Sequence, residues 1–220
     1  MKIQIIKYPD DEAWLLCKQL ALVTIGKKAV TPPTLEWKKK ILAASHSPIR
    51  CLEFVFLFED LPYYVSTHLA RHIHAQPYIK SQRNDRQDEY DRRKAPQDAP
   101  VTMMWLVNAE EVITISHKRL CYQADPTTMK AVQMMCDEII KTNPEFDGQL
   151  NPLCDYRNGL CSEFNSCGRC DNFRARVTDC SDMTVQIEVS ERIYRNAGRI
   201  LLRQENSNYG TLYYPDGGEG

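Results

Sequence analysis

Apolar positions along the chain recur in two periods, and turn residues separate the stretches in which each period holds. Ile3 to Ile6 alternate weakly with polar neighbours and predict a first strand. Asp10 or Asp11 then caps a helix whose apolar stripe reads as Leu16, Leu20 and Val23. Thr31-Pro32-Pro33 breaks the chain, and Thr34 caps a second helix carrying Glu36 in its first turn and Trp37, Ile41 and Leu42 beyond. Ser47-Pro48 ends that helix, because the residue before a proline is pushed out of the helical region. Cys51 to Phe58 is a short aromatic-rich run that predicts a buried strand. Asp60-Leu61-Pro62 places a proline early in a third helix, with Tyr64, Val65 and Leu69, running to about His72. Pro77 prevents it from continuing.

Residues 82–100 are polar and charged, which predicts a solvated loop or a mobile loop over a site. Met103 to Leu120 reads mostly as a helix with Trp105, Leu106, Val112, Ile113 and Leu120. Asp125-Pro126 opens another helix, with Met129, Val132, Met135 and Ile139, and Asn143-Pro144 closes it. Residues 151–180 are cysteine-rich and loop-like. Met183 to Val189 alternates as a strand that Arg199 to Arg203 is expected to pair with, and Asp216 to Gly220 reads as a disordered end. No internal repeat is visible. The expected organisation is a main domain over residues 1–150 and a cysteine-rich extension over 151–220.

Composition narrows the class. The chain has 220 residues and 43% hydrophobic content, enough for a packed core. Its net charge of −1 gives no global pull toward nucleic acid or membrane, so any anion site must be a local cluster. No apolar run reaches the length of a membrane span. The opening Met-Lys-Ile-Gln-Ile-Ile-Lys is too short and too polar for a signal peptide. Nine cysteines, an odd number, argue against a disulfide framework, and together these features predict a cytosolic protein with no membrane or nucleic-acid partner.

The densest chemistry lies between Arg71 and Asn84. Arg71 and Arg83 are anion-binding candidates, since a guanidinium matches a phosphate with two parallel hydrogen bonds. Ser81 and Arg83 lie two apart and share one face of an extended segment. Arg71, His72, Ser81 and Arg83 are expected around one proline-broken turn. His68 and His72, four apart on one helix, have metal-ligand spacing but lack an adjacent glutamate and a third ligand; a helix C-terminus that favours protonated histidine is the other reading. Cys154, Cys161, Cys167 and Cys170 suffice for a tetrahedral zinc, with Cys136 and Cys180 as substitutes. An iron–sulfur cluster or free thiols fit the same residues.

The central pattern resembles the signature of the flavin-dependent thymidylate synthases: Arg-His-Arg, two residues, Ser, then Ser-x-Arg-Tyr. Arg71, His72, Ser81 and Arg83 match it in register without a gap. Upstream, Ser45-His46-Ser47-Pro48 is similar to the family's His-x-Ser/Thr-Pro segment, with one residue of slippage. Downstream, Asn108-Ala109 and Arg119 resemble its Asn-Ala-Arg helix and later arginine. The resemblance covers roughly residues 1–140. Ile73, Gln76, Asn84 and Glu110 stand where the family has Arg, Ser, Tyr and Arg, and the segment between signature and Asn-Ala helix is shortened to 85–107.

The resemblance implies an α+β fold, a helical layer on an antiparallel sheet, with the cysteine-rich module appended. It implies reductive methylation of dUMP at C5, with methylene-tetrahydrofolate as carbon donor and FAD, reduced by NADPH, as hydride source. By carry-over Arg71, Ser81, Arg83 and Arg119 contact the nucleotide, with His68 and Gln82 counted among the substrate-binding residues and Ser81 and Arg83 at the chemistry. His72, Asn108 and His46 would meet the cofactor. A homotetramer with sites shared between subunits is expected. Two other readings stay open: an enzyme modifying another pyrimidine nucleotide, for instance by hydroxymethylation, and a non-catalytic, metal-stapled nucleotide-binding protein of the same fold.

Overall fold

The computed structural model describes residues 1–83, 85, 91, 93–157, 161, 163 and 167, and the backbone of 200–202 and 211–213. They fall into two compact units, Met1–Asn151 and Pro152–Gly220.

The first unit is a four-stranded antiparallel sheet with helices packed on one face. Its strands are β1 (Lys2–Lys7), β2 (Glu53–Pro62), β3 (Ala75–Ile79) and β4 (Pro100–Asn108), in the order β1-β2-β4-β3. The register aligns Ile5, Phe56, Trp105 and Pro77 in one row across the sheet, and Ile3, Phe58, Met103 and Ile79 in the next. Cross-strand partners share a face, so these rows and Phe54 opposite Val107 form one apolar surface. Phe54, Phe56, Phe58, Trp105 and Met103 are completely buried there. Each such side chain contributes roughly 1.5–3 kcal/mol. Met104 and Tyr78 stand on the opposite face and are exposed.

The helices are α1 (Asp11–Val23), α2 (Leu35–Ala43), α3 (Tyr63–Leu69), α4 (Ala109–Arg119) and α5 (Pro126–Thr142), with short 3₁₀ turns at Ser47–Cys51 and Pro144–Phe146. Their starts follow local rules. The side chains of Asp10, Thr34, Asn108 and Asp125 each accept a backbone N–H of the first turn, from Ala13, Trp37, Glu111 and Thr128. The expected α+β class therefore holds.

Several expectations are corrected. The stretch from Met103 is a strand up to Asn108, and helix begins only at Ala109. Val101, Met103, Trp105 and Val107 are buried in alternation, the period of a strand. The apolar Met104 and Leu106 on the other face disguise that period. Helix α1 buries Trp14 and Cys17, not the expected stripe; Leu16, Leu20 and Val23 are exposed. The indole carries the largest apolar area on the helix, so the stripe containing it turns inward. Helix α2 ends at Ala43, where Ser45 reverses the chain at φ +48°, and Ser47-Pro48 opens the 3₁₀ turn instead of ending the helix. Strand β2 begins at Glu53 and extends past Phe58. Asp60 at φ +54° marks a bulge that returns Leu61 to the core face.

Pro77 lies inside β3, an edge strand where a missing N–H is tolerated, and not in a turn. Ala75 to Ile79 spans about 13 Å of extended chain. Arg71 and His72 sit before the end of β3 that pairs with Val107, whereas Ser81 and Arg83 follow the end that pairs with Met103. The expected single turn around all four residues is replaced by two separate positions.

In the second unit, a short helix α6 (Leu153–Tyr156) is followed by β5 (Ile200–Leu202), paired antiparallel with β6 (Thr211–Tyr213). The segment expected at Arg199–Arg203 thus pairs with 211–213; the strand expected at 183–189 and the disordered end expected at 216–220 lie outside the described residues.

Candidate functional site

The best-organised polar cluster sits where α3 ends, α4 runs past it and α5 begins. His72 follows α3 and is nearly buried, with a side chain 10% exposed. Its Nδ1 lies 3.0 Å from Glu111 Oε1, and Arg119 Nε–H donates to its Nε2 at 3.2 Å. A guanidinium can only donate, so Nε2 must offer its lone pair and the ring proton sits on Nδ1, given to Glu111. Arg119 Nη2 also donates to the His68 carbonyl oxygen at 2.9 Å.

His68 repeats the logic. Asp125 Oδ1 takes the Thr128 hydroxyl proton at 3.0 Å, so Thr128 Oγ1 accepts from His68 Nδ1–H at 2.9 Å. The Tyr64 ring stands edge-on to His68, and Trp105 edge-on to His72. The two histidines with metal-pair spacing are each committed at Nδ1. A guanidinium occupies the other nitrogen of His72, which leaves it no lone pair for an ion. Among the described residues no group of three or more His, Cys, Asp or Glu is gathered for a metal.

Arg119 lies within electrostatic reach of a second cation. Burial, and then the charge of Arg71, push its pKa below the ordinary value. Among the described residues neither Arg71 nor Arg119 forms an ion pair. Two neighbouring guanidinium groups without a carboxylate favour a bound anion.

The other expected residues divide into two places. Asn108 caps α4 through Oδ1, at 2.9 Å from the Glu111 N–H. Beside it the 3₁₀ turn carries exposed His46 and Arg50; Arg50 Nε and Nη2 grip Glu110 at 2.6 and 3.1 Å, and Ala109 N–H bonds the Leu52 carbonyl oxygen at 2.8 Å. Beyond the far end of β3, Ser81 Oγ accepts the Arg83 N–H at 3.2 Å, and the Arg83 guanidinium pairs with Asp85 at 2.8 and 2.6 Å. Gln82 is half-buried there. Ser81 and Arg83 are thus joined by a local side-chain bond, with the guanidinium turned to Asp85. Of the four expected metal ligands, Cys154 is buried, Cys161 and Cys167 are half-buried, and Cys170 lies outside the described residues.

Glu111 and Thr128 were not singled out from sequence, and Asp125 only as a helix start. The available signal was Glu111 itself, a carboxylate between Ala109 and Val112 on the apolar side of a helix and only 4% exposed. Such a group is rarely buried without a partner.

The sheet order and its helical layer are those of the flavin-dependent thymidylate synthase fold. Two crystal structures of thymidylate synthase ThyX from Helicobacter pylori, both with FAD and dUMP, match with a TM-score of 0.56 each, at 11% and 12% identity. They align over 68% of this chain and over 99% and 98% of their own. No protein-family model and no curated protein matches the sequence.

Proposed function

We propose that the chain is an enzyme of the flavin-dependent thymidylate synthase type, which methylates dUMP at C5 with methylene-tetrahydrofolate and FAD reduced by NADPH. The observation that carries this reading is Arg119, anchored through Nε and Nη2 and within electrostatic reach of Arg71, in a fold whose Helicobacter pylori counterpart binds FAD and dUMP. Arg71 and Arg119 take the nucleotide's anionic phosphate, and His68 lines the same end of the site.

Ser81, Gln82 and Arg83 stand at the far end of β3. In this reading they close the site of a neighbouring copy in a homo-oligomer, a homotetramer by analogy. Ser81 hydrogen-bonds the pyrimidine, while Arg83 leaves Asp85 for the substrate and stabilises charge as it develops.

The residues available for a flavin fit its chemistry. His46, the Asn108 side-chain amide and the 61%-exposed Arg50 share the shoulder where the 3₁₀ turn meets α4. The Arg50 guanidinium there is held by Glu110, so the pair carries no net charge. When bound, the flavin supplies the hydride; the chain's own residues orient the nucleotide and hold its charge. Because Arg50 neutralises Glu110, the charge reversal at Glu110 does not weigh against an anionic cofactor. A zinc held by Cys154, Cys161, Cys167 and Cys170 remains part of the proposal for the second unit.

The absorption spectrum of protein purified without added cofactor tests this reading, with metal analysis on the same sample. The expected result is flavin bands that shift on adding dUMP. Protein that binds neither flavin nor dUMP overturns it.

A further inference from the structure

We propose that Glu111 is a positioning residue that acts through His72 to aim Arg119. The inference rests on the reading above for the identity of the anion, but its geometry stands by itself. Glu111 is 4% exposed and its Oε1 lies 3.0 Å from His72 Nδ1. A buried carboxylate can only accept, so it fixes the imidazole proton on Nδ1. The bare Nε2 then holds Arg119 Nε–H at 3.2 Å. With Nη2 tied to the His68 carbonyl oxygen at 2.9 Å, two of the five donors are anchored. Nη1 makes no hydrogen bond among the described residues, so that part of the fork is left for an anion. Were the ring in its other tautomer, Nε2–H would confront Nε–H, donor against donor, and the guanidinium would swing free.

The relay also has a built-in direction. Asn108 caps α4 by accepting the Glu111 N–H at 2.9 Å, so the backbone that carries the carboxylate is itself fixed. The carboxylate is therefore pre-set when Arg119 is called on to bind, and no reorganisation is spent at that moment.

The test is Glu111→Gln in the full chain, an isosteric change that keeps packing but lets the side chain either donate or accept. Three signals are read: the His72 ring-nitrogen shifts of ¹⁵N-histidine-labelled protein, solvent exchange of the Arg119 Nε–H, and dUMP affinity by calorimetry. Wild-type protein should show His72 protonated on Nδ1 and a protected Arg119 Nε–H. Glu111→Gln should mix the tautomers, speed that exchange and weaken dUMP binding about tenfold, the scale of one charge-assisted hydrogen bond. A wild-type His72 protonated on Nε2 overturns the proposal without any variant. So does a Glu111→Gln protein with unchanged exchange, or with altered exchange and full dUMP affinity. If wild-type protein binds no dUMP while tautomer and exchange behave as stated, the relay stands and the nucleotide reading alone fails.

Discussion

Arg50 closes a two-pronged ion pair on Glu110, with Nε and Nη2 at 2.6 and 3.1 Å from its carboxylate oxygens, and so ties the 3₁₀ turn to the first turn of α4. The hydrogen bond and the charge of Glu110 raise the Arg50 pKa above its ordinary value. The pair is largely exposed, so its effect is screened by salt. Glu110→Arg alone should lower the thermal midpoint at low salt by setting two cations together. Adding Arg50→Glu should restore it, and high salt should shrink both effects. A swap that rescues nothing at low salt would mean that the pair contributes no coupling.

Arg119 cannot be replaced by lysine. An ammonium lacks the planar fork that reaches both His72 Nε2 and the His68 carbonyl oxygen. Arg119→Lys should weaken dUMP binding by at least about tenfold, and Arg71→Ala should weaken it comparably while flattening its salt dependence. Calorimetric titration at two ionic strengths checks both.

The inward face of α1 predicts opposite outcomes for two neighbours. Trp14 is fully buried, and Trp14→Ala should cost about 3–5 kcal/mol of stability. Leu16 is 51% exposed, and Leu16→Ala should fall within about 0.5 kcal/mol of the parent. Denaturant unfolding of the two variants decides whether the helix faces the core as described.

Burial pushes the Cys17 and Cys136 thiols up from their ordinary value of 9.0 to about 12, with smaller contributions from Cys51 and Asp137 respectively. Near neutral pH neither should react with a thiol reagent until the chain unfolds. The sign at alkaline pH follows from proton counting. Above 9.0 the unfolded chain releases these protons while the folded chain retains them to about 12, so stability falls as pH rises through that window and is unaffected by these thiols below it. Thermal midpoints across the window check this, with Cys17→Ser/Cys136→Ser as the variant that flattens the slope.

The parts of the fold that were legible in sequence are those set within a few residues. Asp10, Thr34 and Asp125-Pro126 announce helix starts because a short polar side chain can satisfy the first-turn N–H groups wherever the rest of the chain lies. Arg71 and Arg83 stood out as candidate anion ligands because guanidinium chemistry is a property of residue type; Arg119 entered only through the family resemblance. β4 was not legible, because a strand with apolar residues on both faces loses its alternation. β3 was not, because Pro77 is acceptable only on a sheet edge, and edge position is a fact of topology.

The sequence by itself determined which side chains carry charge, which can only donate or accept, and where most of the helices begin. Only the tertiary structure decided that Glu111 stands behind His72 and Asp125 behind Thr128 and His68, that Arg50 answers Glu110, and that a strand separates Arg71 from Arg83. The contacts of Glu111 with His72, Thr128 with His68 and Arg50 with Glu110 join residues 39, 60 and 60 positions apart. Residues so far apart in sequence are brought into hydrogen-bond reach only by the sheet order and the burial of its aromatic face, and no local period records either.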